Sequence, residues 1–174
     1  AYGADVISRI EAANAGKLSA MQSCVIDAVR DLIEKLSIAP ETVRELPLIV
    51  SGNTTMLHLF CGVSPAGMGT YPFTPAFTEA RTFPGDALCL PVRSVTLLPS
   101  VSAFVGGDVA AGMFFCRFGH SDAPALLLDI GTNGEMVLDT GRADGNRLLA
   151  ASTAAGPALE GANLSCGMGG VSSA

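Results

Sequence analysis

Ala125-Leu126-Leu127-Leu128-Asp129-Ile130-Gly131-Thr132-Asn133-Gly134-Glu135-Met136-Val137-Leu138 reads as two apolar strands folded about a glycine-rich turn. The first run has the length and apolarity of a buried strand and carries an acid near its end; the second resumes the pattern after the turn. Gly131 lets the backbone come close to a ligand, the N–H groups of Thr132, Asn133 and Gly134 can converge on an anion, and Thr132 adds a hydroxyl donor. Asp129 stands where a carboxylate could hold Mg²⁺, directly or through water. Glu135 stands where it could orient a water or support the metal. An ordinary hairpin in which Asp129 caps its own turn accounts for the same residues, and at this point both readings stand.

Downstream, a turn around Asp144-Gly145-Asn146 leads to a third strand over residues 147–153, and Ala154-Ala155-Gly156-Pro157 breaks it. Pro157 suits the first turn of a helix that continues through Asn163. Such a helix start offers free N–H groups and the positive end of its dipole to an anion, so Gly156, Pro157 and Glu160 join the candidate site. An acid such as Glu160 also favours a helix start by itself. The spacing from Gly156 to Gly161 is that of a Walker A loop, but Ala162-Asn163 stands where Lys-Ser/Thr is required. No G-x-S-x-G, H-E-x-x-H or dinucleotide G-x-G-x-x-G pattern is present.

Upstream, the pattern is helical first. Residues 2–15 place Val6, Ile7, Ile10, Ala13 and Asn14 on one face, with Gly16 closing the helix. Ser19 and Gln22 resemble a capping box for a second helix, whose stripe is Met21, Val25, Val29, Leu32, Ile33 and Leu36. Residues 40–45 read as a short helix, and Leu48-Ile49-Val50 as a buried strand. That strand runs into Ser51-Gly52-Asn53-Thr54-Thr55 and a helix over residues 56–61. Small polar residues between a strand and a helix are a frequent ligand contact, which brings in Gly52, Asn53 and Thr54; a plain turn capped by Thr54 or Thr55 is the alternative. Residues 62–91 read as one long loop rich in Gly, Pro and Thr. A strand over 92–98 and a helix from Ser100 through Phe118 follow, with Gly106, Gly107 and Gly112 inside the helix. The expected division is therefore 1–118, a boundary at 119–124, and 125–174.

Composition narrows the function. Ten Lys+Arg against sixteen Asp+Glu, a net charge of −6, leave no cationic footprint for nucleic acid. Residues 46–78 carry no Lys, Arg, Asp or Glu, but Gly52, Gly62, Pro65, Gly67, Gly69, Pro72 and Pro75 interrupt them, so they are not read as a membrane span. The five cysteines have no C-x-x-C spacing and only His58 and His120 to complement them, which argues against a zinc or iron–sulfur site within the chain. They read as buried free thiols of a cytoplasmic protein. Charged residues are 15% of 174, low for a soluble domain, which implies that another lobe or partner covers part of the surface. The chain opens without Met or a signal peptide and reads as a piece of a longer protein.

The hairpin around Asp129 resembles the second phosphate-binding hairpin of the ASKHA superfamily, which unites actin-like ATPases, sugar and acetate kinases and chaperone ATPases on a ribonuclease H-like α/β fold. A wider set of segments is similar to the ATP-binding C-terminal domain of the reductive activators of corrinoid proteins. They are Tyr2-Gly3-Ala4-Asp5-Val6-Ile7-Ser8-Arg9-Ile10, Gly52-Asn53-Thr54-Thr55-Met56, Pro72-Phe73-Thr74-Pro75 and Ser102-Ala103-Phe104-Val105-Gly106-Gly107-Asp108. To these are added Ala151-Ser152-Thr153-Ala154-Ala155-Gly156-Pro157-Ala158, Glu160-Gly161-Ala162-Asn163 and Ser165-Cys166-Gly167-Met168.

The resemblance implies an ATP- and Mg²⁺-dependent activator that returns the cobalt of a partner corrinoid protein from Co(II) to Co(I), the electron coming from a [2Fe–2S] domain outside this chain. The partner implied is the corrinoid protein of a methyltransferase system, and a homodimer is compatible with it. It also implies that Asp129, Gly131, Thr132, Asn133 and Gly134 face phosphates and metal, with Gly156, Pro157 and Glu160 nearby and Gly52, Asn53 and Thr54 on the opposing lobe. The family's first phosphate hairpin, Asp-x-Gly-Thr-Thr, is not among these residues, so the chain is expected to hold the late part of one ASKHA lobe and the start of the next. A small-molecule kinase of the same superfamily, and an interaction module without nucleotide binding, are the other readings of the pattern.

Overall fold

The computed structural model describes residues 2–3, 5–120, 122–131, 133–141 and 147–154. They fall into two compact units, Ala1–Ala110 and Ala111–Ala174.

The first unit begins with helix α1, Val6–Ala12. Asp5 caps it: its Oδ1 accepts from the Ser8 N–H at 2.8 Å, while the Asp5 N–H donates to Ser8 Oγ at 3.3 Å. Two otherwise orphaned donors are thus satisfied. Gly16, at φ +84°, turns the chain between α1 and α2, Leu18–Lys35, as its position after the first apolar stripe predicts. The capping box expected at Ser19 and Gln22 does not form; Lys17 precedes α2 without a side-chain cap. Gln22 instead donates from Nε2 to the Phe60 carbonyl at 3.2 Å. The buried stripe of α2 is narrower than its sequence suggests. Met21 and Ile26 are buried, Val25, Val29 and Ile33 pack against the core, and Leu32 and Leu36 are 61% and 65% exposed.

Helix α3, Pro40–Val43, precedes strand β1, Pro47–Val50. β1 is not the buried strand expected: it lies at a sheet edge, and Ile49 is 66% exposed. Helix α4, Thr54–Phe60, is capped by Asn53 rather than by Thr54 or Thr55. Residues 62–91 are more regular than a loop. They hold single 3₁₀ turns at Ala66–Met68 and Asp86–Leu88 and a strand β2, Arg81–Pro84. The sheet has the order β1-β3-β2, with β3, Ser94–Leu97, parallel to β1 and antiparallel to β2. Pro84 is tolerated because β2 is an edge strand. Val95 and Leu97 of β3 are fully buried against Leu57, Phe60, Phe77 and Leu90.

His58 ties the Pro-rich segment to α4. Its ring is fully buried, Nδ1 lies 2.8 Å from the Thr54 carbonyl, and Nε2 accepts from the Ala76 N–H at 3.1 Å. That pairing requires the neutral Nδ1–H tautomer. The ring stacks on Phe77 at 4.2 Å, and the Arg81 guanidinium lies 4.0 Å from the Phe77 ring centroid. Burial holds the His58 pKa below its ordinary value of 6.5.

Helix α5 is Gly107–Phe115, shorter than the span expected from Ser100 to Phe118. Residues 101–105 form a tight turn instead, with the N–H groups of Val101 and Ser102 both donating to the Val105 carbonyl. Gly106 and Gly107 therefore stand at the helix start. The division between the two units falls within α5.

The second unit carries a meander of β4, Ala125–Ile130, β5, Gly134–Asp139, and β6, Leu148–Thr153, in that spatial order. Against expectation, β4 is exposed within this unit: Leu126, Leu128 and Ile130 each show more than half of their surface. Gly112 of α5 packs closely on Leu127, where an added Cβ would lie 3.3 Å from Cδ2. Asp139, 2% exposed, pins the meander. It accepts from the Gly119 N–H at 2.7 Å, the Gly141 N–H at 3.0 Å and Arg147 Nε at 3.0 Å. The two backbone donors hold its carboxyl below the usual aspartate range, and the arginine adds to the effect.

The cysteines depart from expectation too. Cys24, Cys89 and Cys116 are exposed and Cys61 is half-buried, its thiol pKa raised by burial. Cys166 lies outside the described residues. No helix among the described residues is long and apolar enough to cross a membrane.

Candidate functional site

The β4–β5 hairpin closes with Ile130 opposite Gly134 and Asp129 opposite Glu135; Glu135 in turn faces Ser152 of β6. Residues directly opposite in antiparallel strands project on the same side of the sheet. Asp129, Glu135 and Ser152 therefore form a row across three strands, beside the turn. The Gly131 N–H donates to the Asn133 carbonyl at 2.9 Å and holds that turn tight. Ser152 Oγ donates to Glu135 Oε1 at 3.3 Å. The Asp129 side chain is exposed and accepts no hydrogen bond among the described residues, so it does not cap its own turn.

Two carboxylates directly opposite each other on one face form a site to which a cation can be attracted. Mg²⁺ takes one or two carboxylates and completes its shell with waters and phosphate oxygens; Asp129, with Glu135 behind it, fits that donor set. No group of three or more His, Cys, Asp or Glu side chains that could hold a metal by themselves occurs among the described residues. The described cysteines do not cluster, so they do not fit a [2Fe–2S] group.

Gly52, Asn53 and Thr54 lie in the first unit, at the carboxyl end of β1. Their polar groups are engaged locally. Asn53 Oδ1 accepts from the Met56 N–H at 2.9 Å, Thr54 Oγ1 donates to the Ser102 carbonyl at 2.6 Å, and the Gly52 carbonyl accepts from the Gly107 N–H at 2.9 Å. These bonds fasten the start of α4 to the start of α5. A Cβ on Gly106 would stand 2.5 Å from Asn53 Cα, so the close approach of the two turns requires glycine there. Thr55 Oγ1 is buried without a hydrogen-bond partner.

Thr132, Gly156, Pro157 and Glu160 lie outside the described residues. Asp139 and His58 escaped the sequence reading as structural anchors. For Asp139 no sequence signal was available: alternation places it on the face of Glu135 and Val137, not with the apolar Met136 and Leu138.

Comparison with known proteins places these features in a family context. Residues 1–121 match the family model described as the RACo middle region, and residues 123–174 that of the C-terminal domain of RACo, the ASKHA domain. The corrinoid activation enzyme RamQ of Eubacterium limosum is 34% identical over 183 residues, covering 100% of this chain and 30% of RamQ. A [Co(II) methylated amine-specific corrinoid protein] reductase of Methanosarcina barkeri is 36% identical over 94 residues, covering 52% of this chain and 17% of that protein. A solved structure of a reductive activator for corrinoid, iron-sulfur protein aligns with a TM-score of 0.79 and 33% identity, over 93% of this chain and 26% of that one. The chain thus spans less than a third of the length of each of these relatives.

Proposed function

Since this chain belongs to the RACo family of corrinoid reductive activators, we propose that it forms part of the ATP-binding region of a protein that reduces the cobalt of a partner corrinoid protein from Co(II) to Co(I). The observation that carries the nucleotide reading is the row Asp129–Glu135–Ser152 beside the Gly131 turn, two facing carboxylates next to a backbone able to approach phosphate. The similar proteins named above as a corrinoid protein reductase and as activators support the partner.

In this reading Asp129 would hold Mg²⁺, and Glu135, which accepts from Ser152, would orient a water. Bound Mg²⁺ would neutralise charge on the ATP phosphates. Gly131, Thr132, Asn133 and Gly134 supply backbone and hydroxyl donors to a phosphate. Gly156, Pro157 and Glu160 belong to the same reading as a second anion-facing segment. Gly52, Asn53 and Thr54 belong to the same reading as the contribution of the opposing lobe to the nucleotide site, held in place by the bonds that fix the starts of α4 and α5. The reaction is a one-electron reduction of cobalt, the electron arriving from an iron–sulfur domain outside this chain; ATP hydrolysis to ADP and phosphate supplies the driving force. The partner is the corrinoid protein of a methyltransferase system and the compartment is the cytoplasm; the lobe boundary at 119–124 is supported by the meeting of the two family regions at 121–123, C-terminal to the division of the compact units within α5.

The test is reduction of a Co(II) corrinoid protein by the full-length protein, followed by visible spectroscopy with a chemical electron donor. Reduction that needs ATP and falls at least tenfold in Asp129→Ala supports the reading. Reduction indifferent to ATP overturns the nucleotide part of it.

A further inference from the structure

Tyr71, Phe73 and Phe104 form one exposed aromatic surface on the first unit. The Tyr71 and Phe73 rings meet edge to face at 6.1 Å, and Phe73 meets Phe104 in the same manner at 5.3 Å. Tyr71 is 87% exposed, Phe73 40% and Phe104 43%. An aromatic side chain carries about 150–250 Å², so the three together show roughly 300–400 Å² to solvent. A contiguous apolar patch of that size commonly serves as a binding site.

The rings are held firmly in place. In the loop that carries Tyr71 and Phe73, Met68 is fully buried against Ile10 and Ala103. Gly67 lies so close to the Thr74 carbonyl that no Cβ would fit between them. The Phe73 N–H donates to the Thr70 carbonyl at 2.7 Å, and the Ala76 N–H donates to His58 Nε2 at 3.1 Å. Phe104 stands in the turn at 101–105, which Thr54 Oγ1 fastens through the Ser102 carbonyl. Phe73 itself takes φ +57°, a left-handed conformation that an aromatic residue rarely adopts. Such strain persists where the surroundings enforce it, and it gathers at binding sites. Side chains already fixed lose little freedom on binding, so a small area can bind specifically.

The surface is also uncharged. No Lys, Arg, Asp or Glu occurs at 46–78 or 94–107, the segments that carry all three rings. We infer that this surface docks an apolar, uncharged patch of the corrinoid protein, with Tyr71 as the anchor. The area decides between that occupant and a second copy of the chain. A stable dimer needs about 800 Å² from each partner, at least twice what the three rings offer. Complexes that form and part around an electron transfer lie at the small end of the range, and a protein that reduces another must release it afterwards. Exposed aromatic rings are the side chains that most often anchor such contacts. The inference rests on the corrinoid protein being the partner, as proposed above, and not on nucleotide binding.

Calorimetric titration of the Co(II) corrinoid protein into the full-length protein, without nucleotide, tests it. Tyr71→Ala removes a side chain that stands almost wholly in solvent. It is expected to weaken binding at least tenfold and to leave the melting temperature and the MgATP affinity unchanged. The ratio of parent to variant affinity should hold as ionic strength rises, because no charge is involved. In the reduction assay the variant should raise KM for the corrinoid protein and leave kcat unchanged. Equal affinity in parent and variant overturns the inference. So does a lowered melting temperature, which means that another part of the same polypeptide covers the ring, or a change of mass by light scattering, which means a second copy. Binding that falls in the variant supports the docking surface even where reduction proves indifferent to ATP, so the two readings fail separately.

Discussion

Asp129 and Glu135 face each other across the β4–β5 ladder, so the hairpin sets two carboxylates side by side on one face of the sheet. Like charges directly opposite in a ladder are unfavourable, by about 0.2–1 kcal/mol, and a bound cation would favour the pair. Adding Mg²⁺ with ATP should raise the melting temperature of the full-length parent protein and leave that of its Asp129→Asn variant nearly unmoved. Thermal unfolding with and without MgATP checks this; an equal rise in both proteins would remove Asp129 from the metal site.

His58 makes stability depend on pH in a predictable direction. Its folded pKa is held below 6.5 by burial. The unfolded chain therefore takes up a proton that the folded chain refuses as pH falls below about 6.5, and stability drops across that window toward the lowered folded value. Above pH 7 both states are neutral and the dependence vanishes. His58→Gln should flatten this part of the profile while costing about 1–3 kcal/mol at pH 7.5, if the Ala76 N–H loses its acceptor. Urea unfolding between pH 5 and 8 measures both.

Asp139 acts at lower pH. Its folded pKa lies below the ordinary 3.8 because the Gly119 and Gly141 N–H groups bind the ionised form. The stability it contributes is present above pH 3.8 and is lost as pH falls through the lowered folded value. Asp139→Asn should lower the melting temperature at neutral pH and weaken the acid limb of the unfolding curve. An acid limb identical to the parent's would contradict the role given to those two amides.

The turn-on-turn contact at Gly106 gives a steric prediction. An added Cβ would meet backbone, Asn53 Cα at 2.5 Å, which a side-chain rotation cannot relieve. Gly16 also adopts positive φ, but nothing lies within 4 Å of its missing Cβ. Gly16→Ala should cost only the left-handed backbone penalty of about 1–2 kcal/mol. Gly106→Ala should cost more and should disturb the Thr54 and Gly52 bonds that fasten α4 to α5. Denaturant melts of the two variants rank them directly.

These residues show where sequence reasoning carried and where it stopped. The meander was legible because short apolar runs of strand length are separated by strong turn residues, and the register follows once Gly131 and Gly134 set the turn. β2 escaped because four residues between Gly- and Pro-rich flanks carry too little pattern to stand out from a loop. The helix expected from Ser100 starts at Gly107 because Val105 accepts the backbone bonds of Val101 and Ser102, a tertiary turn that a helical spacing of apolar residues does not reveal. The apolar run of β4 and the stripe of α2 were read as buried, yet both leave side chains exposed: periodicity shows which face is apolar, not what covers it. Gly52, Asn53 and Thr54 were legible as polar residues between a strand and a helix, but not the bonds by which they also hold two helix starts together, because those partners lie about 50 residues away in sequence.

The most direct measurement is a calorimetric titration of MgATP into the full-length protein and its Asp129→Ala variant. The account predicts binding by the parent and a loss of at least tenfold in the variant, about 1.4 kcal/mol. Equal affinity in the two proteins, or no heat of binding in either, would contradict the assignment of the Asp129 hairpin to the nucleotide.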